Sequence, residues 1–556
     1  MIKSRWPSIS FFAIAVAFLG ASLRGRDWLY KEWAIQLLHG ATLGIILAIA
    51  CSRIVDRSTW QRALTITILC LAAGTQFYLL FTERPASATN VKWSPKGPHV
   101  PDLGPDIPRL GEAGILFKSD KRLALQKEQQ GLRQRIEQLE QEANNSSAPW
   151  IKGEFEKEIY TARYRVGEID SIFHATTFQK ILLVVLPLML VAVIIGQRLR
   201  MIVLPLMLAA WLALGIWVIR ATPNPFIDVF VFQQESADAL LHGHNPYAMT
   251  FTNIYGDGIA VYAPELQKNG RVDFGFPYAP FSLLMIIPGY LVGDHRYAQL
   301  FALAIAAALI AFSRPGRTAT LAAILLLTTS RVFMVIELGW TEPLVILWLA
   351  ATVWCACRRP KWVPYALGLL LASKQYTIFI PPLAALLVML KFTWRAYFIL
   401  LLKACLVAAI VSLPIILWNL PAFLRSAVTL QLKQPLREDA LSYLLYYYWH
   451  YDKEGAKAIA SWLPFAGAAV MTALSLWLWP RNAGGFAGAI AIVFFAFFAL
   501  NRQAFCNYYF LVIGAMCCAI AGLDCSAPPL PGAQEQPDPK TPAKPAVGEL
   551  VEMALP

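Results

Sequence analysis

The chain has 556 residues, 57% of them hydrophobic, with a mean hydropathy of +0.51 and a formal net charge of +13. A composition this apolar excludes a soluble globular protein. The positive excess lies in short runs between apolar blocks, as the cytoplasmic loops of membrane proteins carry it, and gives no support to a nucleic-acid partner.

The apolar blocks predict helices, because backbone polar groups inside lipid must be satisfied within the segment. In chain order they cover 9–23, 33–51, 63–81, 181–195, 201–219, 297–312, 318–336, 342–357, 362–390, 397–418, 459–479, 485–500 and 508–523. The first lacks a small-residue cleavage site before Arg24 and reads as an anchor. Residues 1–81 form an N-terminal group of membrane helices. Between them and the remainder lies an insertion, 82–178, with 14 Lys/Arg and 14 Asp/Glu. There Leu125, Leu132, Ile136 and Leu139 share one helical face, which predicts a helical hairpin closing on 154–176. Most of the nine cysteines sit in apolar blocks, with no zinc spacing and no disulfide framework. The Pro-rich tail, 526–556, reads as disordered and cytoplasmic.

Placing the basic runs Arg53/Arg57/Arg62, Arg198/Arg200, Arg314/Arg317, Arg358/Arg359/Lys361 and Lys391/Arg395 in the cytoplasm fixes the topology. The insertion and the loops 220–296 and 419–458 then face outward. Two conditions close the scheme. Residues 279–293, broken by Pro288, must not cross, and 362–390 must turn around near Lys374. The expected fold is an all-α bundle of about 14 membrane helices.

The polar residues at the outer helix ends carry a pattern. D-V-F-V-F-Q-Q-E-S-A-D-A-L-L-H-G-H-N-P-Y runs from Asp228 to Tyr247, and F-P-Y-A-P-F-S-L-L covers 276–284. G-W-T-E-P-L-V follows at 339–345, G-L-L-L-A-S-K-Q-Y-T at 368–377 and A-F-C-N-Y-Y-F-L at 504–511. Together they resemble the GT-C superfamily of membrane glycosyltransferases, in its polyprenyl-phosphate-mannose-dependent branch, over about 201–524. Thr377 stands where that branch has proline. The resemblance makes 179–525 the catalytic domain and implies an inverting transfer of a mannose-like hexose or a pentose. The sugar moves from a polyprenyl-phosphate donor to an outer glycan, glycolipid or protein acceptor, at the face of the cell membrane away from the cytoplasm. It makes Asp228 the general base, Lys374, with Arg331 or Arg502, the partner of the donor phosphate, and Glu235, Asn245, Tyr247, Tyr278, Glu342, Gln375 and Asn507 substrate contacts. No cofactor and no metal is expected.

Each assignment has a plainer counterpart. Asp228 could cap its helix, Lys374 could reach for the membrane surface as an anchor, and Glu235 could be merely solvated. His242 and His244 lack a third ligand, and the aromatic run from Tyr443 to Tyr451 suits an interfacial belt. The competing function is a transporter or lipid flippase, but such proteins often carry repeated halves with matched helix breaks, which are absent here.

Overall fold

The computed structural model describes residues 5–24, 31–56, 58–82, 119–145, 149–223, 225, 227–255, 261–388 and 392–524. The Pro/Gly-rich start of the insertion and the Pro-rich tail lie outside these residues. Helix dominates what is described. Among the described residues, five helices are long and apolar enough to cross a membrane: Glu32–Ala50, Thr59–Phe81, Thr176–Ile194, Arg198–Ala221 and Trp394–Trp418. Two bent pairs raise the count to seven if each is one span. Shorter apolar helices, such as Arg317–Thr328, Ala483–Ala499 and Cys506–Gly522, complete the bundle.

The centre belongs to Ala483–Ala499 and Cys506–Gly522, which are apolar around their whole circumference and almost entirely buried. Trp6–Ser22 and Glu342–Arg358 pack against the second of them. Trp394–Trp418 is the opposite case. It leaves Leu402, Leu406, Ile410 and Leu417 exposed on a surface suited to lipid.

The insertion forms the hairpin that its leucine seam predicts. Helix Ser119–Asn145 packs along the first half of Pro149–Ile194, burying Leu139, Ala143, Ile159 and Ile169. The helices break at the two places that the topology singles out. Helix Pro280–Leu291 meets Arg296–Phe312 at 108°, so 279–293 does not continue the neighbouring helix. Helix Val363–Ala372 stops at Lys374, whose backbone is extended, before a short 3-10 turn at Gln375–Phe379.

Two details depart from the sequence reading. A small antiparallel sheet joins the helices, with Arg271–Val272 between Phe251–Thr252 and Gln267–Lys268. Its strands are two residues long, too short to leave an alternating pattern. Cys357 is disulfide-bonded, which its apolar block gave no reason to expect.

The two ends of the bundle differ. One gathers Arg5, Ser52, Arg53, Arg314 and Asp524: Arg314 pairs with Asp524 at 2.7 Å, and Arg5 donates to the Ser52 carbonyl at 3.1 Å. The other end holds a cavity.

Candidate active site

The cavity has a volume of about 360 Å³, within the range of small-molecule sites. Its wall draws on segments far apart in sequence: the start of helix Asp228–Leu241, the loop around Tyr262 and Tyr278, the stretch Met334–Thr341, Lys374, the segment Leu430–Asp439 and the residues around Tyr508.

Asp228 opens its helix, and its carboxylate is held on several sides. The Val229 N–H donates to Oδ1 at 2.8 Å and the Tyr262 hydroxyl donates to Oδ2. The Asp228 N–H in turn donates to the Tyr255 hydroxyl at 3.3 Å. Burial among apolar and aromatic groups raises the Asp228 pKa above the usual carboxylate range. The bonds from Tyr262 and Val229, and the charge of Arg437, pull the other way without cancelling it. A raised pKa makes the ionised carboxyl a better proton acceptor than an exposed one.

Lys374 is buried at the break of its helix. Its ammonium donates to Thr341 Oγ1 at 2.6 Å and to Glu342 Oε1, and lies 5.0, 5.3 and 5.9 Å from the rings of Tyr278, Tyr376 and Tyr508. Glu342 is fully buried at the first position of helix Glu342–Arg358, followed by Pro343. The lysine is therefore neither snorkelling nor solvated. A tyrosine cage and a carboxylate hold it at the cavity wall.

The remaining sequence candidates divide. Tyr278 and Asn507 line the cavity. Tyr247 and Gln375 instead hold its loops. The Tyr247 hydroxyl donates to the Tyr278 carbonyl at 2.8 Å, and Gln375 Nε2 donates to the Pro277 carbonyl at 2.7 Å. Asn245 caps the turn before them by accepting from the Tyr247 N–H at 2.9 Å. Glu235 is half-buried on the helix that Asp228 opens, outside the cavity wall, where the charge of Arg271 acts on it. Arg331 and Arg502 also lie outside the wall. Arg331 donates to the carbonyls of Leu23 and Arg24, both at 2.8 Å, and Arg502 to that of Leu432 at 2.7 Å. They tie helix ends together, and position along the chain alone did not separate that use from phosphate binding. The aromatic helix Tyr443–His450 is likewise outside the wall. It docks on Glu32–Ala50 through the Tyr443 hydroxyl and Thr42 Oγ1, 2.6 Å apart, and through Tyr443 stacked on His39.

Several wall residues escaped the sequence reading. Arg437 forms a two-bonded pair with Asp439 at 2.8 and 2.9 Å and sits 5.1 Å over the Phe505 ring. Tyr255, Tyr262 and Trp340 also line the space, and Glu337 borders it with its side chain fully buried. Only their nearness to the quoted motifs could have flagged them. Each of the two wall cations is thus paired with a carboxylate, and the rest of the lining mixes tyrosines, amides and apolar rings. With Asp228 and Glu337 in addition, the wall carries more carboxyls than cations.

No family model, no curated protein and no solved structure matches this chain.

Proposed function

We propose that this protein is a membrane glycosyltransferase of GT-C type, which moves a sugar from a polyprenyl-phosphate donor to an outer acceptor with inversion. The observation that carries the reading is that Asp228 and Lys374, the two residues on which the motif resemblance rests most, line one cavity. Asp228 takes the proton from the acceptor hydroxyl as its oxygen attacks the anomeric carbon. The bond from that carbon to the phosphate oxygen breaks, and the lipid phosphate leaves with the electron pair. Lys374 and Arg437 offset the negative charge that grows on the leaving phosphate.

The membrane arrangement belongs to the same proposal. Counting every apolar helix at membrane depth once, and Pro280–Leu291 as interfacial, gives about 14 crossings. All cavity segments then fall on the outer side, and the end with Arg53, Arg314 and Asp524 falls in the cytoplasm. Cysteine labelling from outside is expected near 140, 260 and 440, and from inside near 316 and 360. Opposite sides for 316 and 440 are required, since cavity and basic runs cannot share a face.

The decisive assay uses purified protein in nanodiscs with mannosyl- and pentosyl-polyprenyl phosphates and outer-envelope glycan acceptors. The expected result is release of polyprenyl phosphate together with a product of inverted anomeric configuration. Retained configuration, or transport of the lipid without bond cleavage, overturns the proposal.

A further inference from the structure

Helix Cys506–Gly522 begins at the cavity without a side-chain cap. Phe505 occupies the capping position, and no acidic residue stands in the first turn. The first backbone N–H groups of a helix have no partner within it, and the aligned peptide dipoles add a partial positive charge there. Phe505, Asn507 and Tyr508 all line the cavity, so this positive end opens on it.

Asn507, in that first turn, is 7% exposed, and neither its amide nitrogen nor its amide oxygen has a hydrogen-bond partner among the described residues. Those atoms keep accessible surface, unlike the sealed Nδ2 of Asn245. A nearly buried amide left unpaired is costly, so its place at the wall calls for a ligand. The two wall cations converge on the same helix end. Lys374 Nζ lies 5.9 Å from the Tyr508 ring, and Arg437 Cζ lies 5.1 Å from the Phe505 ring. The Arg437 segment is tied to the chain that enters the helix. The Arg437 N–H donates to the Arg502 carbonyl at 3.1 Å, and the Leu441 N–H donates to the Ala504 carbonyl at 2.9 Å. Both cations already face carboxylates, so an anion between them gains little net charge from either pair. The helix end and the Asn507 amide are donors that bring no counter-charge of their own.

We propose that the N-terminus of helix Cys506–Gly522, with the Asn507 amide and the flanking Lys374 and Arg437, is the seat of a lipid phosphodiester. Asn507 Nδ2 donates to one of its phosphate oxygens. The identity of the lipid as the sugar donor rests on the glycosyltransferase reading, since an ordinary anionic phospholipid carries the same phosphodiester chemistry. A diester bears one negative charge, which suits a partial helix charge beside two cations that are already matched.

The test measures lipid binding to wild type, Asn507→Ala and Asn507→Asp in nanodiscs of zwitterionic lipid. The probes are polyprenyl-phosphate mannose, a phosphate-free analogue with mannose linked directly to the polyprenol, and phosphatidylglycerol. Wild type should bind the phosphate-bearing mannolipid more tightly than the phosphate-free one, and absence of that preference overturns the inference. Asn507→Ala should lose about ten- to a hundredfold of its affinity for the phosphate-bearing lipid, the worth of a hydrogen bond to a charged group. Its affinity for the phosphate-free analogue should be unchanged, which also reports an intact cavity. Asn507→Asp should lose more, because a carboxylate repels the phosphate and cannot donate. Its melting temperature without ligand should not fall, since a carboxylate suits a helix start. A packing role would instead lower melting in both variants and weaken both mannolipids alike, and that result overturns the inference. Full affinity in Asn507→Ala overturns it and leaves the function standing. Phosphatidylglycerol displacing the mannolipid at equal concentration from wild type, but not binding Asn507→Asp, upholds the phosphodiester seat and overturns the polyprenyl donor, so the two readings fail separately.

Discussion

The hairpin of the insertion and the cavity use charge in opposite ways. In the hairpin, Arg135 meets Glu158 at 3.1 Å and Arg165 meets Glu128 at 2.8 Å, with all four side chains roughly half exposed. At the cavity, the wall residue Lys374 pairs with Glu342 behind it, with side-chain exposures of 7% and 0%. Exposed pairs contribute about 0–1 kcal/mol and can be placed almost anywhere on a helix surface. Buried pairs cost desolvation that their attraction does not always repay, so stability alone seldom explains them. The difference separates the two regions: the cavity wall holds a buried pair that stability alone seldom explains, and the insertion holds inexpensive exposed ones.

Asp228 is the sharpest test of that contrast. Asp228→Asn should lower transfer by a factor of about 10²–10⁴, since the amide keeps the shape but takes no proton. Stability should move the other way. Burial raises the folded-state pKa of Asp228, so the folded state holds the proton more tightly than the unfolded chain. The stability that this proton brings is fully present below the unfolded pKa and is lost as pH rises through the folded one. At neutral pH the ionised group is therefore a net cost, which the neutral amide avoids. Thermal melting should find Asp228→Asn at least as stable as wild type at pH 7, with the advantage gone in acid. A mutant that is both active and less stable removes Asp228 from the chemistry.

The buried pair comes next. Lys374→Met leaves Glu342 charged and unpartnered by its cation, a change that costs about 3–5 kcal/mol. Melting should register that loss, and adding Glu342→Gln should recover most of it, because the stranded charge is then gone. Donor affinity separates function from scaffold. If the double variant melts like wild type yet binds polyprenyl-phosphate sugar as tightly, the pair is architecture and Arg437 alone meets the phosphate.

A smaller effect is expected at Tyr262. Its hydroxyl bonds Asp228 Oδ2 and opposes the upward push of burial on that carboxyl. Tyr262→Phe should move the acid limb of the pH–rate profile to higher pH, because the base now gives up its proton less readily. The bond is worth at most about 1.5–3 kcal/mol. A limb that stays in place, or moves toward acid, means that Asp228 is not the group whose titration governs the rate.

Much of this was legible in the chain. The apolar blocks predict the helices, and the two places where the basic runs require 279–293 not to cross and 362–390 to turn around are places where the helices break. These signals are local and physical: hydropathy over one segment, or charge between two. The cavity wall was legible only where a motif marked it. Asp228, Tyr278, Lys374 and Asn507 belong to marked stretches, while Arg437 and Asp439 come from a loop with no distinctive pattern. Arg331, Arg502 and Glu235 show the converse limit. Each stands at the right depth, yet the direction of its side chain depends on packing that one sequence does not encode in any short window.

The smallest expected effect closes the contrast. The hairpin's stability should rest on the seam of Leu132, Ile136, Leu139 and Ile159, not on the charges that flank it. Arg135→Ala should cost less than about 1 kcal/mol, and raising salt should shrink the difference further, because both partners are solvated. Leu139→Ala, at a fully buried position, should cost about 2–5 kcal/mol through lost apolar burial and the space left behind. Hydrogen exchange over 119–176 reads both variants without needing the whole protein to unfold. Sugar transfer in Arg135→Ala should equal wild type. A large loss of transfer there, with the hairpin still protected, would mean that the insertion's charges reach the reaction and that exposure does not divide the two regions after all.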